Sequence, residues 1–176
     1  FNESKHWSVA RNKALAERSI LVSSLGKTVH TTGWKIGYVA APANLMTEFR
    51  KVHQFLVFTC NHPIQLALAD FLKDKDNYLE VKNFYRQKRD LFAKLIRGSR
   101  FSFEPAAGTY FQLLNYSSIT DEKDTDFAIR LTKEHKVASV PLSVFYHKPE
   151  DNKLLRFCFA KKDETLEKAA EILCRL

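Results

Sequence analysis

The stretch Ser23-Ser24-Leu25-Gly26-Lys27, followed by Gly33-Trp34-Lys35-Ile36-Gly37, decides how the fold of this 176-residue chain is interpreted. An apolar run precedes it, so a short buried strand is predicted from Ser19 to Ser23. A second strand is predicted from Ile36 to Ala40, where Pro42 closes the pattern. The first strand therefore ends in small hydroxyl residues, a glycine and a lysine. A second cation, flanked by glycines, follows within ten residues.

These residue types suit a phosphate that is bound next to a reactive amine. Ser24 can donate its hydroxyl to a phosphate oxygen, and Lys35 is a point charge against the phosphate dianion. Lys27 supplies an amine that can form a Schiff base with an aldehyde. Gly26 allows a sharp turn and a close approach to a ligand. Pyridoxal 5'-phosphate carries both groups, so the pattern indicates this cofactor, although each lysine alone is typical of a solvated surface.

Further motifs make the chain similar to a known family. The lysine segment, with Thr32 to Tyr38, resembles that of the class I aminotransferases of the fold-type-I pyridoxal phosphate superfamily. The likeness is to the methionine, kynurenine and glutamine aminotransferase branch. It continues to the C-terminus through motifs that include Asn61-His62-Pro63-Ile64-Gln65, Gly108-Thr109-Tyr110-Phe111, Pro141-Leu142-Ser143-Val144-Phe145 and Leu155-Arg156-Phe157-Cys158.

The resemblance implies an α/β fold made of the C-terminal part of the large domain and a small α+β C-terminal domain. On this basis, residues 1–76 are the end of the large cofactor-binding domain, 77–97 a connecting helix and 98–176 the small domain. Periodicity predicts the long helix from Asn77 to Arg97 but not its role as a connector, and a further helix is predicted to begin at Asn61.

Three residues outside the lysine segment are candidates for substrate binding. Arg156 lies inside an apolar strand predicted from Leu154 to Phe159, where it must either face solvent at an edge or meet an anion. In similar enzymes an arginine at this position binds the substrate α-carboxylate. Tyr110 is a candidate lining residue. The resemblance also places Phe58 where a subunit can reach its partner's active site, with core packing as the alternative.

The composition argues against several other classes of protein. The formal net charge is +8, but basic and acidic residues interleave, as in Glu80, Lys82, Arg86 and Asp90, which is typical of a solvated helix face and not of nucleic-acid binding. No apolar run approaches the ~20 residues of a membrane span. The three cysteines have neither metal-ligand spacing nor an even count, so we expect reduced thiols, a cytoplasmic location and no metal site.

The resemblance implies transamination between an amino acid with a large uncharged side chain, such as methionine or an aromatic, and a 2-oxo acid. It also implies a homodimer and a missing N-terminal half. That half would supply a glycine-rich phosphate loop, an aromatic that stacks on the ring, and an asparagine and an aspartate that contact the ring. Two alternatives stay open: a cysteine-conjugate β-lyase with the same lysine and cofactor, and a non-catalytic fragment or interaction module.

Overall fold

The computed structural model describes Phe1, residues 6–148 and residues 150–176. By their contacts, the residues fall into two compact units. The first unit is Lys5–Val81, and the second unit is Lys82–Leu176 together with Phe1. Each unit is described by itself below.

The first unit is a two-stranded antiparallel ladder with helices around it. Its elements are α1 (Lys13–Ala16), β1 (Leu21–Ser24), α2 (Leu25–Thr28), β2 (Gly37–Ala40), α3 (Ala43–Leu56), α4 (His62–Phe71) and α5 (Asp76–Leu79). The predicted start of α4 is confirmed: the Asn61 side chain accepts a hydrogen bond from the Ile64 amide at 3.1 Å, and a proline occupies the first turn.

The first strand differs from the prediction of a buried strand over Ser19 to Ser23. β1 runs from Leu21 to Ser24 and alternates between half-buried and exposed side chains, with Val22 74% exposed. Among the described residues the ladder has only two strands, so the edge of β1 that is not paired with β2 has no strand beside it.

The first unit exposes much apolar surface at the end of α3. Phe55, Leu56 and Phe58 are 85%, 78% and 80% exposed, and Val52 lies exposed one turn earlier. Patches of neighbouring aromatic and aliphatic side chains on a protein surface typically mark an interface.

The second unit is built on a three-stranded antiparallel sheet covered by helices. Its elements are α6 (Val81–Leu95), β3 (Phe111–Asn115), α7 (Asp124–Lys133), β4 (Val140–Pro141), β5 (Leu154–Cys158) and α8 (Asp163–Leu173). The strand order is β3-β5-β4, with Leu113 and Val140 each paired with Arg156. One face of the sheet and the inner faces of the helices form the core, whose members include Phe92, Ile96, Leu114, Phe127, Leu131, Leu155, Phe157, Leu166 and Leu173.

The long helix predicted over 77–97 is interrupted. Helix α5 ends at Leu79, and α6 starts at Val81 and ends at Leu95. Glu80 between them has ψ −14°, which is nearer a turn than an α-helix. Periodicity could not show this break, because a single turn-like residue leaves the apolar face of the following helix in place.

An ion pair ties helix α7 to the loop before it. Arg130 contacts the Glu122 carboxylate through two nitrogens, with Nη2–Oε1 at 2.7 Å and Nε–Oε2 at 3.1 Å. The hydrogen bond from Arg130 is the main reason that the pKa of Glu122 lies below its ordinary value, against the opposing effect of burial.

Candidate active site

The ladder of the first unit brings Ser24, Lys27 and Lys35 to one end. In the register of β1 and β2, Ser24 faces Gly37, and the Leu25 amide donates to the Ile36 carbonyl at 3.1 Å. Helix α2, with Lys27, therefore leaves the same end of the ladder at which Lys35 enters it. The antiparallel pairing therefore brings two lysines that are eight residues apart in the sequence to the same end of the ladder.

Two of the three glycines around the lysines, Gly26 and Gly37, lie close against the chain's own backbone, whereas a Cβ on Gly33 would have no neighbouring atom within 4 Å. A Cβ on Gly26 would lie 3.1 Å from the Thr31 carbonyl oxygen, and one on Gly37 would lie 2.3 Å from the Ser23 carbonyl oxygen. None of the glycines has a positive φ. Gly26 and Gly37 therefore let the loop fold onto α2 and the strands approach each other. The sequence predicts that Gly26 allows a close approach to a ligand, and in the structure the atom that approaches it is the Thr31 carbonyl oxygen.

Several polar groups at this end of the ladder are available to a ligand. Lys27 and Lys35 are both exposed, and the Ser24 side chain makes no capping hydrogen bond to α2. The Thr31 hydroxyl in the connecting loop is buried and has no hydrogen-bond partner in the described part of the chain. Lys35 has φ 55°, a left-handed conformation that is uncommon outside glycine and that concentrates at functional sites.

These donors match the chemistry of pyridoxal 5'-phosphate. A phosphate dianion needs hydroxyl and ammonium donors, which Ser24 and Lys35 offer, and its aldehyde needs an amine, which Lys27 offers. The unsatisfied Thr31 hydroxyl is a further donor in the same loop. The residues present therefore fit the cofactor.

Arg156 lies in the second unit, at the middle of β5. Because β5 is the central strand of the sheet, the alternative of an exposed edge arginine is wrong. Its guanidinium carbon is 4.2 Å from the ring centre of Phe111 and 5.2 Å from that of Phe145. Its Nε atom is buried without a hydrogen-bond partner among the described residues. An arginine that contacts two rings and keeps an unsatisfied N–H is suited to an incoming anion.

A cavity of about 780 Å³ opens beside Arg156 on the face of the sheet away from the core. Phe111 lines it, as does the segment 106–109. Gln112 fixes the cavity wall from behind, since its buried amide donates to the Glu104 carbonyl at 2.8 Å and accepts from the Ala106 amide at 3.0 Å. Glu104 also lines the cavity, so Arg156 shares it with one carboxylate.

The other two candidates are not among the residues that line this cavity. Tyr110 packs against Tyr85, with ring centres 5.8 Å apart, and is not among the residues that line the Arg156 cavity. Phe58 follows α3 with φ 65° and a side chain that is 80% exposed. Sequence reasoning missed Phe111 and Phe145 as the residues whose rings lie against the Arg156 guanidinium. The alternation of side chains along a strand could have predicted that Phe111 and Leu113 share one face of β3, but it could not have predicted that β3 pairs with β5.

The model of the family "Aminotransferase class I and II" matches residues 1–173. The chain belongs to this aminotransferase family. Enzymes of class I depend on pyridoxal phosphate, so the family and cofactor expectations are confirmed.

Individual relatives agree with the family match. A methionine aminotransferase of Escherichia coli is 50% identical over 177 residues, which cover 100% of this chain and 46% of the relative. The rat kynurenine–oxoglutarate transaminase 3 is 35% identical, over 96% of this chain and 41% of its own length. The chain thus spans about half the length of the curated relatives that it matches.

Solved structures confirm the predicted fold class. The Escherichia coli protein YbdL, whose crystal structure is described as identifying a methionine aminotransferase function, matches with a TM-score of 0.93 and 50% identity over 97% of this chain and 46% of its own. The N-succinyldiaminopimelate aminotransferase of Mycobacterium tuberculosis matches with a TM-score of 0.91 and 32% identity, over 99% and 46%.

The described residues contain neither a candidate membrane-spanning helix nor a candidate metal-binding cluster. None of the helices in residues 6–148 and 150–176 is long and apolar enough to cross a membrane. The same part of the chain contains no group of three or more His, Cys, Asp or Glu side chains placed to hold a metal ion.

Proposed function

We propose that this chain is the lysine-bearing part of an aminotransferase that moves an amino group between methionine or an aromatic amino acid and a 2-oxo acid. The observation that carries the proposal is the convergence of Ser24, Lys27 and Lys35 at one end of the β1–β2 ladder. The 50% identity to a protein named methionine aminotransferase supports the choice of substrate.

Lys27 is the residue that bonds the cofactor and later moves the proton. When bound, pyridoxal phosphate supplies the aldehyde and the electron-withdrawing ring. Once its amine is free, Lys27 takes the α-proton of the amino acid as general base and returns a proton as general acid. Its exposure in the last turn of α2 leaves the amine room to change partners.

Ser24 and Lys35 hold the phosphate. The Ser24 hydroxyl donates a hydrogen bond to a phosphate oxygen, and the Lys35 ammonium balances the negative charge. Ser24 ends β1 and Lys35 precedes β2 by two residues, so both lie at the end of the ladder from which α2 and Lys27 leave.

Arg156 orients the substrate. Its planar guanidinium matches a carboxylate bidentately, and the rings of Phe111 and Phe145 on its flanks limit how it can turn. The buried Nε gains a partner when the carboxylate binds. Orientation of the α-carboxylate in turn sets the direction of the bond that is broken.

The active species is a homodimer that contains further N-terminal residues. The exposed apolar surface of Phe55, Leu56 and Phe58 supports this part of the proposal, because such surface is normally covered. Phe58 is the residue proposed to reach the partner's substrate site. A cytoplasmic location is supported by the three unpaired cysteines, which suit a reducing compartment.

The test is an assay of methionine with a 2-oxo acid, on residues 1–176 and on a protein extended at the N-terminus to the length of the relatives. The extended protein is expected to form the corresponding 2-oxo acid, and residues 1–176 alone to be inactive. Formation of pyruvate from a cysteine conjugate, without transamination, would overturn the proposal in favour of a β-lyase. Turnover by residues 1–176 of about 1–10³ per second would contradict the need for further residues.

A further inference from the structure

A buried carboxylate in the second unit binds a single serine with both of its oxygens. Asp124, at the first position of α7, is 2% exposed. Its Oδ1 accepts a hydrogen bond from the Ser143 hydroxyl at 2.7 Å, and its Oδ2 accepts one from the Ser143 amide at 2.8 Å. A buried ion that is hydrogen-bonded in this way holds its partner in one geometry.

The bound serine begins the turn that carries one of the two rings on Arg156. Ser143–Phe145 is a single 3-10 turn, and the guanidinium carbon of Arg156 lies 5.2 Å from the ring centre of Phe145. The preceding strand β4 pairs with β5 at Val140 and Arg156. The turn therefore leaves the sheet beside Arg156 and returns its ring over the guanidinium.

Asp124 also contacts the segment that leads into β5. Its amide donates to Asp151 Oδ2 at 3.2 Å, and Asp151 Oδ1 accepts from the Lys153 amide at 2.8 Å. Burial raises the pKa of Asp151, but the hydrogen bonds and charge of Lys153 outweigh this effect, so the pKa lies below its ordinary value. The start of α7 is thus tied to both segments that flank Arg156.

We propose that Asp124 is a positioning residue for substrate binding: by holding Ser143 it keeps the Phe145 ring against Arg156 and so fixes the guanidinium for the substrate carboxylate. The inference rests on the proposed function of Arg156. Asp124 itself touches no substrate, and its effect passes through the turn Ser143–Phe145.

The test compares Asp124→Asn, Phe145→Leu and the double variant in the holoenzyme. Asparagine keeps the shape and can still pair with Ser143, because the serine hydroxyl can accept as well as donate, but it removes the charge that strengthens both hydrogen bonds. We expect Asp124→Asn to raise the KM for methionine about tenfold, because two charge-assisted hydrogen bonds become weaker neutral ones, with kcat changed much less. Binding of 3-phenylpropanoate, which has a carboxylate and no amine, is expected to weaken by the same factor.

The double variant separates positioning from general loss of structure. If Asp124 acts through Phe145, the two substitutions are not additive, and the double variant binds 3-phenylpropanoate no more weakly than Phe145→Leu alone. Additive effects, or an unchanged KM in Asp124→Asn, would overturn the inference. If Asp124→Asn fails to fold, Ser143→Ala replaces it in the same cycle.

A matched control and the wild-type enzyme keep the outcomes distinct. Leu173→Ala, in the buried face of α8, is expected to lower the Tm without changing the KM for methionine or the affinity for 3-phenylpropanoate. A raised KM in this control as well would mean that loss of stability alone explains Asp124→Asn. A wild-type enzyme without transaminase activity would refute the proposed function, and binding of 3-phenylpropanoate would still test the positioning role.

Discussion

Replacement of Arg156 by lysine is expected to weaken the use of every amino-acid substrate while the positive charge is kept. Lysine has a compact ammonium in place of the planar fork, so it cannot hold a carboxylate bidentately. It also has no planar group to place against Phe111 and Phe145, whose ring centres are 4.2 and 5.2 Å from the guanidinium carbon.

The magnitude follows from the bonds that are lost. One hydrogen bond between charged groups contributes about 1.5–3 kcal/mol. At 1.36 kcal/mol per factor of ten, this corresponds to a fall in kcat/KM of about 10- to 150-fold. Because the carboxylate is held both before and during the reaction, we expect a raised KM in addition to any fall in kcat.

The assay is steady-state transamination with methionine or an aromatic amino acid as the amino donor and a 2-oxo acid as the acceptor. Arg130→Lys is the matched control, since Arg130 also lies over a ring, that of Phe127 at 5.0 Å, but is paired with Glu122. The control is expected to keep its kcat/KM. An Arg156→Lys enzyme with wild-type kcat/KM for all substrates would refute the assignment of Arg156 to the carboxylate.

Three further predictions concern the ladder of the first unit and the pH dependence of the second. Gly37→Ala should lower the Tm and weaken cofactor binding, because the added Cβ would lie 2.3 Å from the Ser23 carbonyl oxygen. Gly33→Ala is the control and should match wild type, since a Cβ at that position has no neighbour within 4 Å. Equal Tm values for the two variants would contradict this prediction. Lys35→Ala should weaken binding of pyridoxal phosphate by about 1.5–3 kcal/mol in a fluorescence titration; the exposed Lys51→Ala is its control, and unchanged affinity would show that Lys35 does not contact the phosphate. Glu122 has a pKa below its ordinary value of 4.5, so it contributes stability above that pH and loses this contribution as the pH falls through the lower folded-state pKa. Glu122→Gln should therefore show a smaller drop in Tm on acidification than wild type, and an identical drop would exclude the ion pair as the cause.

The lysine segment shows what local sequence can predict. Ser24, Gly26 and Lys27 are consecutive or nearly so, and the turn after a strand follows from their residue types. The structure places Lys35 at the same end of the ladder, as the short sequence distance suggested. The role of the glycines could not be read, because it depends on the distance between β1 and β2, which appears only in the pairing register.

The surroundings of Arg156 show what local sequence cannot predict. The apolar strand around it was evident, but its central position in the sheet was not, because it depends on pairings with two other strands, one of which joins Arg156 to Leu113, 43 residues earlier. Asp124 looks like an ordinary first-turn acid in the sequence, and only the fold brings it to Ser143. The break at Glu80 was not predicted because it is a purely local change of ψ, which leaves the periodicity of the apolar residues intact.

The most direct test of the whole account is to find which lysine carries the cofactor. The holoenzyme is reduced with borohydride, which makes the bond between cofactor and lysine permanent, and is then digested with trypsin. Because a modified lysine resists trypsin, a label on Lys27 predicts a peptide from Ser19 to Lys35 with one added pyridoxyl phosphate group. A Lys27→Arg protein should give no such peptide. A label on any other lysine of the wild-type enzyme would contradict the account.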